Sequence, residues 1–149
     1  MTEYFVNGLL HREDGPAVII EPFIKKWYKH GMKHREDGPA CECGSYKEWW
    51  LEDRLHNIDN PAIIGAYSKE WWLFGNRHRL DGPAVVRDMK VYKDPNYEQE
   101  WWLFGKEYIS KEVYIQDITK LKEYIFDKLI NIGICKDLSS TIISYYTQN

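Results

Sequence analysis

The heptapeptide His34-Arg35-Glu36-Asp37-Gly38-Pro39-Ala40 decides the fold, because the chain repeats it. The same seven residues stand at 11–17, and they return at 78–84 with Leu80 at the third position. A divergent copy, His-Asn-Ile-Asp-Asn-Pro-Ala, occupies 56–62. The motif histidines at 11, 34, 56 and 78 are separated by 23, 22 and 22 residues, a period that indicates a repeat array.

The motif combines two turn signals. We expect its Gly to adopt backbone angles that other residues avoid, and Pro fixes its own φ at about −65°. Asn60 replaces this Gly in the divergent copy, and it is expected to tolerate the same left-handed conformation. Short β-branched runs such as Ala84-Val85-Val86 follow the turn and predict a strand.

An aromatic segment precedes each motif and recurs a fifth time without one. Its composition predicts a strand that turns at a following Gly or Asp. Chained strand-turn-strand units of about 22 residues predict an elongated antiparallel β-meander over residues 1–108. The first aromatic positions are Tyr4, Trp27, Trp49, Trp71 and Trp101, and the second are Phe5, Tyr28, Trp50, Trp72 and Trp102.

The pattern Trp-x-x-x-Gly-x-x-His, followed by a Gly-containing turn, resembles the MORN repeat. The longer His-Arg-x-Asp-Gly-Pro-Ala form is similar to the MORN variant common in proteins of large DNA viruses of amoebae. The resemblance covers about residues 3–108. It implies an elongated repetitive β-sheet, a scaffolding role more than catalysis, and a viral accessory or structural protein.

The period changes after Gly105. Ser110 is a helix-capping residue, and apolar residues at three-to-four spacing follow it from Ile118 to Ile132. A shorter helix is predicted from Asp137. The fold class is therefore mainly β with a C-terminal α segment, in which a helical hairpin at 109–149 closes the array.

Alternation along the aromatic strands predicts where this hairpin docks. First and third residues share one face, which is expected to be buried along the whole sheet, and second and fourth residues share the other. The fourth residues run Asn7, His30, Glu52, Phe74, Phe104. The hairpin is therefore expected to cover Trp72, Phe74, Trp102 and Phe104, which leaves a candidate partner face of Phe5, Tyr28 and Trp50.

Composition excludes several classes. With 44% hydrophobic and 29% charged residues, the chain fits neither a disordered tail nor a membrane protein, and no transmembrane segment is expected. Three cysteines and no signal-like N-terminus favour a reducing, intracellular compartment, which is host cytoplasm for a viral protein. A net charge of −3 argues against a nucleic-acid partner.

The motif residues are interpreted as a structural turn, because an active site is needed once whereas a turn is needed in every unit. A His–Asp general base is the alternative. A weaker candidate is a zinc site at His30, His34, Cys41 and Cys43, although we expect neither metal nor cofactor. The structural residues are His11, Arg12, Asp14, Gly15, Pro16, His34, Arg35, Asp37, Gly38, Pro39, His78, Arg79, Asp81, Gly82 and Pro83.

No nucleotide-binding or hydrolase motif appears, so the sequence predicts a non-enzymatic repeat scaffold whose extended surface binds a protein partner. The alternative is binding of anionic lipid or nucleic acid through the row Arg12, Arg35 and Arg79. The two differ in whether these guanidinium groups are free or are paired with Asp14, Asp37 and Asp81. Pairing within each motif favours the scaffold. The sequence leaves the oligomeric state open.

Overall fold

A computed structural model describes residues 1–88 and 99–131. It contains one helix, α1 (Lys111–Asn131), after a series of short strands. The strands are β1 (Thr2–Glu3), β2 (Phe5–Val6), β3 (Leu9–Leu10), β4 (Val18–Ile20), β5 (Ile24–Lys26), β6 (Tyr28–Lys29), β7 (Met32–Lys33), β8 (Cys41–Cys43), β9 (Tyr46–Glu48), β10 (Trp50–Leu51), β11 (Arg54–Leu55), β12 (Ile63–Ile64), β13 (Ser68–Glu70), β14 (Trp72–Leu73), β15 (Asn76–Arg77), β16 (Val85–Arg87), β17 (Gln99–Leu103) and β18 (Lys106–Tyr108).

Ten of these strands form one sheet, in the order β1-β4-β5-β8-β9-β12-β13-β16-β17-β18. Neighbours in the sheet follow one another along the chain and pair antiparallel throughout. At about 4.8 Å between strands, the nine spacings span roughly 43 Å. The predicted mainly β fold with a long antiparallel meander is confirmed.

Each aromatic segment continues past this sheet into a second, shorter hairpin. The pairs are β2–β3, β6–β7, β10–β11 and β14–β15, and the outer ends of β17 and β18 form the fifth. Each hairpin closes through two residues with positive φ, such as Phe74 at 47° and Gly75 at 83°. This is the type I′ geometry, which suits the twist of antiparallel strands and explains the Gly at the second turn position.

The two-residue turn corrects the predicted alternation. The fourth aromatic-segment residue is the first turn residue, so it does not share a strand face with the second residue. All five fourth residues have φ between 47° and 52°. The variation at this position therefore says nothing about which strand face is covered.

Backbone hydrogen bonds join each unit to the next in a repeated pattern. The Trp71 amide donates to Ala84 O at 2.8 Å, and the Arg79 amide donates to Trp102 O of the following unit at 3.3 Å. The motif alanines lie inside this junction and are 0% exposed, which explains why every copy ends in the smallest side chain that still has a Cβ. They are Ala17, Ala40, Ala62 and Ala84.

Helix α1 begins as predicted, with the Val113 amide donating to Ser110 Oγ at 3.4 Å. Its Tyr114 and Ile118 are buried against Leu103 and Tyr108. Ile125, which was predicted on the same apolar face, is 44% exposed. The second predicted helix, from Asp137, lies outside the described residues. Within 1–88 and 99–131, no helix is long and apolar enough to cross a membrane.

The predicted docking face of the helix was wrong. Phe74 and Phe104 are 46% and 60% exposed, whereas α1 packs against Trp101 and Leu103, the first and third residues of the last aromatic segment. The helix packs on apolar side chains of the strand, and the two Phe residues lie outside this contact because they belong to the turns. The first-and-third face is also not buried along the whole sheet, because Val6 remains 45% exposed.

Candidate interaction surface

In three of the four motif loops, the histidine links its unit to the turn of the next unit. His78 Nδ1 accepts a hydrogen bond from the Phe104 amide at 3.2 Å, and the two rings stack with centroids 4.1 Å apart. His56 forms the same pair with Phe74. His11 Nδ1 likewise accepts from the His30 amide at 3.0 Å. Because an accepting Nδ1 carries no proton, these contacts require the neutral imidazole.

Burial reinforces this protonation state. Desolvation lowers the pKa of His78 below its ordinary value of 6.5. It does the same for His56, where the nearby Arg54 charge adds to the effect. His56 and His78 are therefore structural acceptors at neutral pH, and their Nδ1 atoms are already occupied.

The motif arginine lies between an aromatic ring and the motif glycine. Arg79 Cζ lies 3.8 Å from the centroid of Trp71, and its Nε donates to Asp81 at 2.7 Å. Arg79 Nη1 donates to Pro83 O at 3.3 Å. Arg35 makes the same three contacts, and Arg12 stacks on Tyr4 and binds Asp14. In turn, the guanidinium groups lower the pKa of Asp14, Asp37 and Asp81 below the ordinary value for an Asp carboxyl group.

The role predicted for the motif glycine is corrected by this packing. Gly15, Gly38 and Gly82 do not have positive φ; the glycines that do are elsewhere, mainly in the hairpin turns. A Cβ at Gly38 would instead lie 2.9 Å from Arg35 Cζ, closer than real Cβ contacts come. The position favours Gly because the guanidinium lies where a side chain would stand and would have to shift to admit one.

The divergent third copy supports this explanation. Asn57 replaces the arginine there and Asn60 replaces the glycine, so the side chain that requires the space and the residue that provides it change together. Asn57 Nδ2 donates to Pro61 O at 3.4 Å, which preserves one contact of the lost guanidinium. Asn60 is not in a left-handed conformation, contrary to expectation.

On the opposite strand face, the three tryptophans at the second aromatic position donate hydrogen bonds to glutamates that the sequence analysis did not single out. The indole Nε1 of Trp50 donates to Glu48, that of Trp72 to Glu70 and that of Trp102 to Glu100. Arg77 bridges Glu70 and Glu100. The signal was present in the sequence as three Glu-Trp-Trp triplets, at 48–50, 70–72 and 100–102.

The candidate partner face therefore differs from residue to residue. Phe5 is 56% exposed, whereas Tyr28 and Trp50 are only partly exposed. Lys33 Nζ lies 4.3 Å from the Trp50 ring centroid and covers part of it. The open apolar surface on this face is concentrated at Phe5.

The weak metal candidate is not brought together. The His30 ring lies 4.4 Å from that of His11, and His34 Nε2 lies 3.3 Å from Glu36. In the part of the chain that the structure describes, no three His, Cys, Asp or Glu side chains are placed to hold a metal ion. Cys41 is buried in the sheet, and Cys43 is exposed.

Two grooves lie between motif loops, which we define as residues 11–17, 34–40, 56–62 and 78–84. One groove of about 740 Å³ lies between the first and second loops, and its lining includes Glu13, Trp27 and Lys29. Another, of about 420 Å³, lies between the third and fourth loops. We call it the Ile58 groove, and its lining includes Ile58, Trp71, Leu73 and His78.

Comparison of the chain with protein-family models, with curated proteins and with solved structures finds no match. The function of this repeat array must therefore be inferred from its own residues and geometry.

Proposed function

We propose that the chain is a non-enzymatic repeat scaffold that binds a protein partner along its row of motif loops. One observation carries the proposal. In the last unit α1 covers the first-and-third strand face at Trp101 and Leu103, whereas in two earlier units Trp27 and Trp71, each stacked by its motif arginine, line grooves between the motif loops. Aromatic floors between polar loops are typical of protein-binding surfaces.

The bonding of the motif groups supports a scaffold over an enzyme. His78 Nδ1 accepts a backbone hydrogen bond, and Asp81 is bound by Arg79, so neither group has the free geometry of a general base. The same pairing weakens the case for a polyanion-binding row. All three motif arginines bind an Asp of their own loop and stack on an aromatic ring.

Photo-crosslinking in the cells that naturally express the chain tests this proposal. A benzophenone amino acid would be placed singly at Phe5, at Glu13 and at Ile58, with exposed Lys69 of β13 as the control position. We expect a discrete protein adduct from at least one of the three surface positions and none from position 69. Adduct patterns indistinguishable from the control at all three positions would refute a protein-binding scaffold.

A further inference from the structure

In the last unit, helix α1 fills the groove that is bounded by Trp101, Tyr108 and Leu80. The Tyr114 ring of α1 lies 5.0 Å from that of Trp101 and edge-on to that of Tyr108 at 5.5 Å. The Tyr114 hydroxyl donates to the backbone carbonyl of Arg79. Ile118, one turn further along the helix, is 5% exposed in the same cluster, which Leu80 borders. A helix therefore fills this groove with two side chains four residues apart.

The Ile58 groove has the same construction one unit earlier. Trp71, Leu73 and His78 occupy the repeat positions of Trp101, Leu103 and Tyr108. Ile58 occupies the motif position of Leu80, and the Asn57 carbonyl is equivalent to that of Arg79. Two differences separate the sites. Arg79 stacks on the Trp71 ring, whereas the last unit has Ile109 at the arginine position and Tyr114 against Trp101. Leu80 packs against α1, whereas Ile58 is 76% exposed.

The groove between the first and second loops lacks this apolar character. Glu13 stands at the position of Leu80, and Lys29 stands at the position of Leu103. An apolar pair of side chains would meet two charged groups there, and burying a charge without a partner is costly. Of these two grooves, the Ile58 groove is therefore the one with more of the apolar character of the site that α1 fills.

The charged residues at the rim of the Ile58 groove indicate which charge a partner should carry. Asp59 is exposed on the third loop, and Asn57 stands where the other loops have the arginine that binds the equivalent Asp. Lys122 of α1 also lines this groove, so a basic helix side chain is already accommodated beside it. An exposed carboxylate at the rim favours a helix with Lys or Arg next to its apolar pair.

We propose that the Ile58 groove binds one amphipathic helix of a partner protein, which inserts two apolar residues four apart, a Tyr first, with a basic residue beside them. This inference rests on the proposed scaffold function and names its partner class. The helix would contact Ile58 and Leu73 as α1 contacts Leu80 and Leu103, and it would meet Trp71 beside the stacked Arg79.

The probe is a fluorescein-labelled peptide of residues 111–131, titrated with the unlabelled full chain and followed by anisotropy. We expect saturable binding that weakens at least tenfold with Ile58→Glu. The fold tolerates Glu at this loop position, because Glu13 and Glu36 occupy it in the first two motif loops. Lys69→Gln, which changes the charge equally on β13, outside the lining of the groove, should leave the affinity unchanged. A peptide carrying Ile118→Asp should not bind.

Three outcomes would overturn the inference: no binding to the full chain, equal binding to Ile58→Glu, or equal binding of the Ile118→Asp peptide. If a chain ending at Asn131 bound the peptide while the full chain did not, residues 132–149 would occupy the groove in place of a partner. The scaffold function is judged separately, because crosslinks from Phe5 or Glu13 in cells do not depend on Ile58.

Discussion

Replacing Gly38 with Asn should destabilise the array by displacing the Arg35 side chain. The new Cβ would stand 2.9 Å from Arg35 Cζ, so the guanidinium must shift from its position over Trp27. The loss includes the cation–π contact, about 0.5–1 kcal/mol, and the hydrogen bond to Pro39 O, about 1 kcal/mol. We expect the free energy of unfolding to fall by about 2 kcal/mol.

The explanation makes a sharper prediction for the pair of positions. Arg35→Asn removes the same contacts, so it should also cost about 2 kcal/mol. The double variant Arg35→Asn/Gly38→Asn reproduces the residues at positions 57 and 60 of the third loop. Because each contact can be lost only once, the double variant should cost about 2 kcal/mol, not the sum of about 4.

Urea unfolding followed by tryptophan fluorescence, with matched slopes, measures this coupling. If Gly38 were required for its backbone angles, the clash with Arg35 would be irrelevant and the two effects would add. Additivity within about 0.5 kcal/mol would therefore refute the packing explanation.

Three further predictions concern the histidines and the helix. Burial lowers the pKa of His78 below 6.5, so the unfolded chain binds more protons in acid than the folded chain does. The free energy of unfolding should therefore fall as the pH drops below 6.5. His78→Gln should flatten this pH dependence in thermal melts, and an unchanged slope would contradict the assignment. Tyr114→Phe should cost about 1 kcal/mol through the lost bond to Arg79 O. Burial, with the Asp81 charge second, raises the pKa of Tyr114 to about 12, so the variant should lack one phenol that ionises late in the absorbance titration of the wild type. If the phenol missing from the variant instead ionised near pH 10, Tyr114 would not be buried. Truncation after Tyr108 should expose Trp101 and Leu103 and cause aggregation in light scattering; a monomeric product with an unchanged melting temperature would show that α1 does not cover them.

The repeat made most of the fold predictable. A period of 22 to 23 residues, aromatic strands and Asp-Gly-Pro turns were sufficient for the meander, because each feature is local and recurs. The start of α1 at Ser110 was predictable for the same reason, since a cap acts within one turn.

What the sequence did not predict depends on where a turn begins and on contacts between side chains. Treating Phe74 as a strand residue placed it beside Trp72, whereas a two-residue turn gives it a φ of 47° and moves it onto His56. Because the turn begins one residue earlier than predicted, the helix docks on the opposite strand face from the predicted one. The sequence also did not predict that each motif arginine stacks on the first aromatic ring of its unit. The joint change to Asn57 and Asn60 in the third copy was nevertheless a signal that the motif Arg and Gly interact.

Departures from the repeat are where a repeat protein can acquire a specific role, because residues common to every unit already maintain the array. The third motif position illustrates this: it is Glu13 and Glu36 in the first two loops, then Ile58 and Leu80. Leu80 borders the α1 cluster, so the apolar residue has an intramolecular purpose there. Ile58 has the same character, yet it stands 76% exposed in the one loop that has lost its arginine and glycine. Exposing an isoleucine contributes nothing to folding, since burial is what makes an apolar side chain stabilising. The third loop is therefore where we propose that binding, in addition to folding, accounts for the residues.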